Sequence, residues 1–163
     1  MNKLISDLIH RNANASVVFP DKKSAIRFID ELVDVLYIHS DKIYATEEAL
    51  KKEFAELGLL FNKLLKGYRI SSIEEDNWLA FSRILPQLYE KGMKDAEAIY
   101  SFDPAANSVE EVTHTYPGFY AIAIHRISHF LWQSEIKTLA RMFSEHVHSK
   151  KCIEIHQGAV IGV

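Results

Sequence analysis

The sequence predicts a mainly α protein: a multi-helix domain over residues 1–150, followed at 151–163 by the first residues of a β-helix. Three observations carry this reading. Apolar residues recur at helical spacing through the first 100 residues and again after Gly118. Capping residues, proline and glycine punctuate those stretches at their ends. In the last residues the apolar period changes to six.

The elements follow in order. Leu4, Ile5, Leu8 and Ile9 share one face of a first helix. After a turn through Pro20 and Asp21, the set Ile26, Ile29, Leu32, Val33 and Leu36 marks a second, with Asp21 as its N-cap. A third helix is predicted from Thr46, where Glu47 and Glu48 complement the dipole of the first turn. It carries Leu50, Phe54, Leu57, Phe61 and Leu64 inward and stops at Gly67. The stretch from Glu75 to Tyr100 contains Pro86, which lacks a backbone donor and should split it near Leu85. Ser101 to Gly118 holds two prolines and no helical period, so it reads as an ordered loop. Beyond it, Phe119, Ile122, Ile127, Phe130 and Leu131 mark one helix, and Ile136, Leu139, Ala140, Phe143 and Val147 another ending in the polar run His148–Lys151. Six or seven helices result.

Bulk composition narrows the classes. The chain has 163 residues, 48% apolar and 25% charged, values that exclude intrinsic disorder, collagen and a disulfide scaffold. Nineteen basic against 22 acidic residues leave a net charge of −3, without the basic excess of a general nucleic-acid binder. The lone Cys152 has no internal partner, and no charged-then-apolar leader precedes the first helix, so a cytoplasmic location is expected. The most apolar run, Leu57 to Leu65, is far shorter than a membrane span, and none is expected.

At the C-terminus, Ile155-His156-Gln157-Gly158-Ala159-Val160 leads into Ile161-Gly162-Val163. An aliphatic residue returns after six positions with a small residue at the fifth, the period of a β-helix whose inward side chains stack from coil to coil.

Four motifs occur in fixed order: Asp103-Pro104-Ala105-Ala106, Tyr116-Pro117-Gly118-Phe119, Arg126-Ile127-Ser128-His129, and Ile153-Glu154-Ile155-His156-Gln157-Gly158-Ala159-Val160-Ile161-Gly162. Together they resemble the serine O-acetyltransferase family, over roughly Leu85 to Val163. The resemblance implies a helical N-terminal domain leading into a left-handed parallel β-helix of hexapeptide repeats. It implies an acyltransferase that moves acetyl from acetyl-CoA to the hydroxyl of L-serine, giving O-acetylserine for cysteine biosynthesis. Acetyl-CoA would be a co-substrate, with no covalently bound cofactor. A homo-oligomer, trimer or hexamer, and a cysteine synthase partner are further implications.

By the same resemblance Asp103 and Pro104 lie where the family binds its amino-acid substrate, and Glu154 where it carries the carboxylate that orients the catalytic histidine. Glutamate here replaces the family's more frequent aspartate, one methylene longer. The chemistry needs such a group: a serine hydroxyl attacks a thioester only as a base takes its proton, and a carboxylate on the other ring nitrogen fixes the tautomer. The family's histidine falls about one coil further on and has no counterpart up to Val163, so the chain by itself is expected to be inactive. No residue is assigned to acetyl-CoA or to a metal.

Other readings of these residues stand beside the functional ones. An aspartate before proline commonly caps a turn, as Asp103 would, and Glu154 alternating with Ile153 and Ile155 fits a solvated strand position. His125 and His129, four apart on one helix face, have the spacing of a zinc pair; Arg126 and His129 equally suit packing and hydrogen bonding. His146 and His148 would add ligands to such a site. Cys152 beside two lysines reads as an incidental small residue. Tyr116, Phe119, Tyr120, Phe130 and Trp132 read as core or subunit interface. Two alternatives to the serine enzyme remain: a non-catalytic helical oligomerisation module, and a β-helix acetyltransferase for another hydroxyl acceptor such as a sugar or homoserine.

Overall fold

The computed structural model describes residues 1–14, 19–38, 46–66, 68, 70 and 76–162. Eight helices are described: α1 (Asn2–Ala13), α2 (Lys22–Tyr37), α3 (Glu47–Leu64), α4 (Asn77–Ser82), α5 (Leu85–Phe102), α6 (Val109–Thr115), α7 (Pro117–Gln133) and α8 (Lys137–Lys151).

Local chemistry sets their ends. The Asp21 carboxylate accepts from the Ser24 amide at 2.8 Å at the start of α2, and the Thr46 hydroxyl accepts from the Ala49 amide at 3.1 Å at the start of α3. Asp76 caps α4 through the amides of Trp78 and Leu79. The stretch around Pro86 divides as expected, with α4 ending at Ser82 and Pro86 in the first turn of α5. The expected stop at Gly67 and the start at Glu75 lie outside the described residues.

One expectation is corrected. Ser101–Gly118 is not simply a loop, because it contains α6. The Ser108 hydroxyl accepts from the Glu111 amide at 3.1 Å, while the Glu111 carboxylate accepts from the Asn107 backbone and side-chain amides at 2.7 and 2.8 Å. This reciprocal arrangement is a variant of the capping box, and it supplies a helix start that apolar periodicity misses. Val112 is buried beneath it.

The core is built around α2 and α7. Ala25, Phe28, Ile29, Leu32 and Val33 are fully enclosed on α2, as the sequence spacing predicts. α7 is buried over most of its circumference, including Phe119, Ile124, Ile127 and Leu131, and it packs against α2, α5, α6 and α8. Phenylalanines link the layers: Phe28 lies 5.0 Å from Phe61 and 6.2 Å from Phe143, and Phe61 lies 4.7 Å from Phe81, ring centre to ring centre. Leu50 and Phe54, expected inward on α3, are only half-buried. Tyr37 crosses from α2 to α5, where its hydroxyl donates to the Leu88 carbonyl at 2.7 Å. Its ring fills the notch left by Gly92, where a Cβ would stand 2.6 Å from it.

α1 forms as predicted but buries no residue; Leu4, Ile5, Leu8 and Ile9 are all exposed. At the other end, Cys152 closes α8 in the left-handed region (φ 55°) and turns the chain away from the helix axis. Residues 153–162 then continue without helix, and no strand is present among the described residues. No helix is long and apolar enough to cross a membrane among the described residues.

Candidate functional site

The segment after Cys152 is held by α7. Trp132 and His156 meet edge-on at 5.3 Å, His129 Nδ1 donates to the Gln157 carbonyl at 2.9 Å, and Arg126 Nη2 donates to the Gly162 carbonyl at 3.1 Å. Residues 156, 157 and 162 thus meet 132, 129 and 126, so the segment runs back along α7. A carbonyl only accepts, which assigns the His129 proton to Nδ1 in the neutral ring and leaves Nε2 as an acceptor. Ile153 and Ile155 lean on the core while Glu154 and His156 face solvent, the alternation of an extended strand-like stretch. Gln157 is buried beneath it.

Arg126 is the hub of this junction. Its Nε and Nη2 donate to the two Asp95 carboxylate oxygens at 2.6 and 2.7 Å, tying α7 to α5 in a bidentate pair. The sequence reading missed Asp95: inside Lys-Asp-Ala-Glu it looks like one more solvated helix position, and its partner is 31 residues away.

Between α5, α7 and the segment lies a cavity of about 280 Å³. Gln87 and Lys91 of α5 line it with His125, Arg126 and His129 of α7, and Val160 and Ile161 close one side. The two imidazoles stand 5.8 Å apart, as their four-residue spacing requires. His125 is only 4% exposed, and its Nδ1 has no hydrogen-bond partner. Burial pushes its pKa down, helped by the neighbouring charge of His129 and opposed by a hydrogen bond to the Ala159 backbone. No group of three or more metal-ligating side chains occurs among the described residues.

Asp103 sits at the C-terminal end of α5, half-buried, with its Oδ1 accepting from the Ala105 amide at 2.9 Å. Its carbonyl accepts from the Ala106 amide, closing the turn over exposed Pro104. Burial, then the hydrogen-bonding and charge of the Asp103 side chain, raise the Tyr116 phenol pKa. Glu154 is exposed on the C-terminal segment. Among the described residues no hydrogen bond or ion pair joins Asp103 or Pro104 to Glu154. Cys152 is exposed at the end of α8.

A second polar cluster also escaped the sequence reading. Asp30 of α2 accepts from the Tyr120 hydroxyl of α7, lies 3.0 Å from His146 Nε2 of α8, and pairs with Lys150 at 3.4 Å.

No family model matches the chain. Curated relatives do. A plasmid-borne serine acetyltransferase of Synechococcus elongatus is 43% identical over 83 residues, 51% of this chain and 26% of the relative. The serine acetyltransferase of Bacillus subtilis is 44% identical over 69 residues, 42% of this chain and 32% of the relative. The crystal structure of native serine acetyltransferase 1 from Entamoeba histolytica superimposes with a TM-score of 0.65 at 26% identity, covering 80% of this chain and 50% of that one. The chain therefore spans about a quarter to a third of these curated relatives and half of the solved one.

Fold and sequence together resemble an enzyme class, the acyltransferases. Within that class the family the chain resembles is the serine acetyltransferases.

Proposed function

We propose that these residues form the helical N-terminal part of a serine O-acetyltransferase, which transfers acetyl from acetyl-CoA to the L-serine hydroxyl and yields O-acetylserine for cysteine biosynthesis in the cytoplasm. The observation that carries this is the coincidence of 43% identity over 83 residues with a matching helical fold. In this reading residues 151–163 open a hexapeptide-repeat left-handed β-helix, with the segment after Cys152 set on α7 by Arg126 and His129. Asp103, beside Pro104, pairs with the substrate ammonium through its carboxylate. Glu154, solvent-facing and without a partner among the described residues, is available to orient the catalytic histidine.

The test is thiol release from acetyl-CoA by the full-length protein containing these residues, with L-serine, L-homoserine and a sugar as competing acceptors. Preference for serine supports the reading. Asp103→Ala should raise the serine KM about tenfold or more with an unchanged acetyl-CoA KM, the loss of one charged hydrogen bond. An unaltered serine KM rejects the role of Asp103.

The exposed apolar face of α1 supports a second reading, in which the domain assembles copies of the chain into a trimer or hexamer and offers a surface to cysteine synthase. A light-scattering mass of one chain at micromolar concentration would reject it.

A further inference from the structure

The cavity between α5 and α7 takes no part in the reaction proposed above, yet its walls are not neutral. Its polar lining is made of cations, imidazoles and amides, with no carboxylate among the lining residues. Lys91 is exposed and has no ion-pair partner among the described residues. Arg126 gives Nε and Nη2 to Asp95 and Gly162, which leaves Nη1 uncommitted. His125 adds a buried ring nitrogen without a partner. Orphaned buried polar atoms in a native fold call for a ligand, an ion or water. Leu88, Phe130, Val160 and Ile161 make the remaining wall apolar.

We propose that this cavity binds a small organic anion: a carboxylate carried on a short apolar body. The carboxylate sits against Lys91, the uncommitted Nη1 of Arg126 and the side-chain amides of Gln87 and Gln133, beside the His125 and His129 rings, and the body against Leu88, Phe130 and Ile161. With Arg126 already paired to Asp95, the unpaired Lys91 ammonium supplies the positive charge that selects an anion. The apolar wall selects a carboxylate with a hydrocarbon portion over a bare inorganic ion, which would leave that surface wet. A volume of about 280 Å³ lies just below the usual range of ligand sites, roughly 300 to 1,000 Å³, and so suits a small molecule.

The site is tested on the full chain, by following the ring Cε1–H signals of His125 and His129 in NMR titrations. Three probes are used: butyrate, inorganic phosphate and butylammonium. Saturable shifts of both rings with butyrate, weaker with phosphate and absent with butylammonium, are expected. Lys91→Met should weaken butyrate binding by about fivefold, the loss of one partly solvated ion pair, without altering thermal unfolding. Four results overturn the proposal: no saturable shift with butyrate, an equal response to butylammonium, butyrate binding unaffected by Lys91→Met, or phosphate binding more tightly than butyrate. The last would reassign the cavity to phosphate-bearing ligands.

Discussion

Arg126 grips both carboxylate oxygens of Asp95, and the two side chains are only 7% and 12% exposed. Such a pair is stable as a unit and costly to break, because a lone buried charge has lost its water without gaining a partner. Asp95→Leu should therefore cost about 3–5 kcal/mol. Asp95→Leu combined with Arg126→Met should cost clearly less than the two single changes summed. Urea unfolding of the four proteins checks this, and strict additivity would show that the two charges are not coupled.

Gly92 and Gly118 are both helical glycines and should respond oppositely to alanine. A Cβ at Gly92 would meet the Tyr37 ring and hydroxyl at 2.6 Å, whereas nothing lies within 4 Å of one at Gly118. Overpacking typically costs about 1–3 kcal/mol, against a helix-propensity gain of up to about 1 kcal/mol. Gly92→Ala is expected to lower Tm, and Gly118→Ala to leave it unchanged or raise it. Thermal unfolding followed at 222 nm separates the two.

The cluster around Asp30 makes stability depend on pH at both ends. Burial alone would raise the Asp30 carboxyl, but hydrogen bonds from Tyr120 and His146 and the charges of His146 and Lys150 outweigh it, so the net shift is downward. A carboxylate depressed on folding stabilises the fold above its unfolded pKa of ~3.9, and that contribution disappears as pH falls through the folded value. The Tyr120 phenol is pushed upward, first by burial and then by the Asp30 bond and charge. Its contribution is complete below the unfolded pKa of ~10 and declines as pH rises above it. Asp30→Asn should flatten the acid limb of a Tm-against-pH curve, and Tyr120→Phe the alkaline limb.

α1 should be irrelevant to the stability of the rest. Since it buries no residue, Leu8→Ser is expected to change the unfolding free energy by no more than about 0.5 kcal/mol. Phe28→Ala, at a fully enclosed position touching Phe61 and Phe143, should cost about 3–5 kcal/mol. A large loss from Leu8→Ser, dependent on protein concentration, would instead reveal that α1 is covered by a second copy.

Local patterns carried α2, α3, α5, α7 and α8 in the sequence, because each of these helices has caps or apolar residues on a face that meets the core. The break at Pro86 was legible for the same reason, since a missing N–H acts where it stands. α6 was not, because its short length leaves too few turns for periodicity, and its signal lies in Ser108 and Glu111. The apolar stripe of α1 was read correctly as a helix, while the absence of a burying partner is a tertiary fact. Pairings across long separations were invisible. Asp95 with Arg126, and Asp30 with Tyr120 and His146, 90 and 116 residues away, join residues that each look like ordinary polar positions. The turn around Asp103 was anticipated from the proline that follows it, while Glu154 shows only the alternation its neighbours imply.

Because α7 is wrapped by four other helices, its central amides can exchange with solvent only when the whole bundle opens. In deuterium oxide they should be the last to lose their protons, and those of α1 among the first. The carbonyls of Gln157 and Gly162 are thus moored to the slowest-opening part of the molecule, so the bearing of the C-terminal segment should outlive local fraying elsewhere.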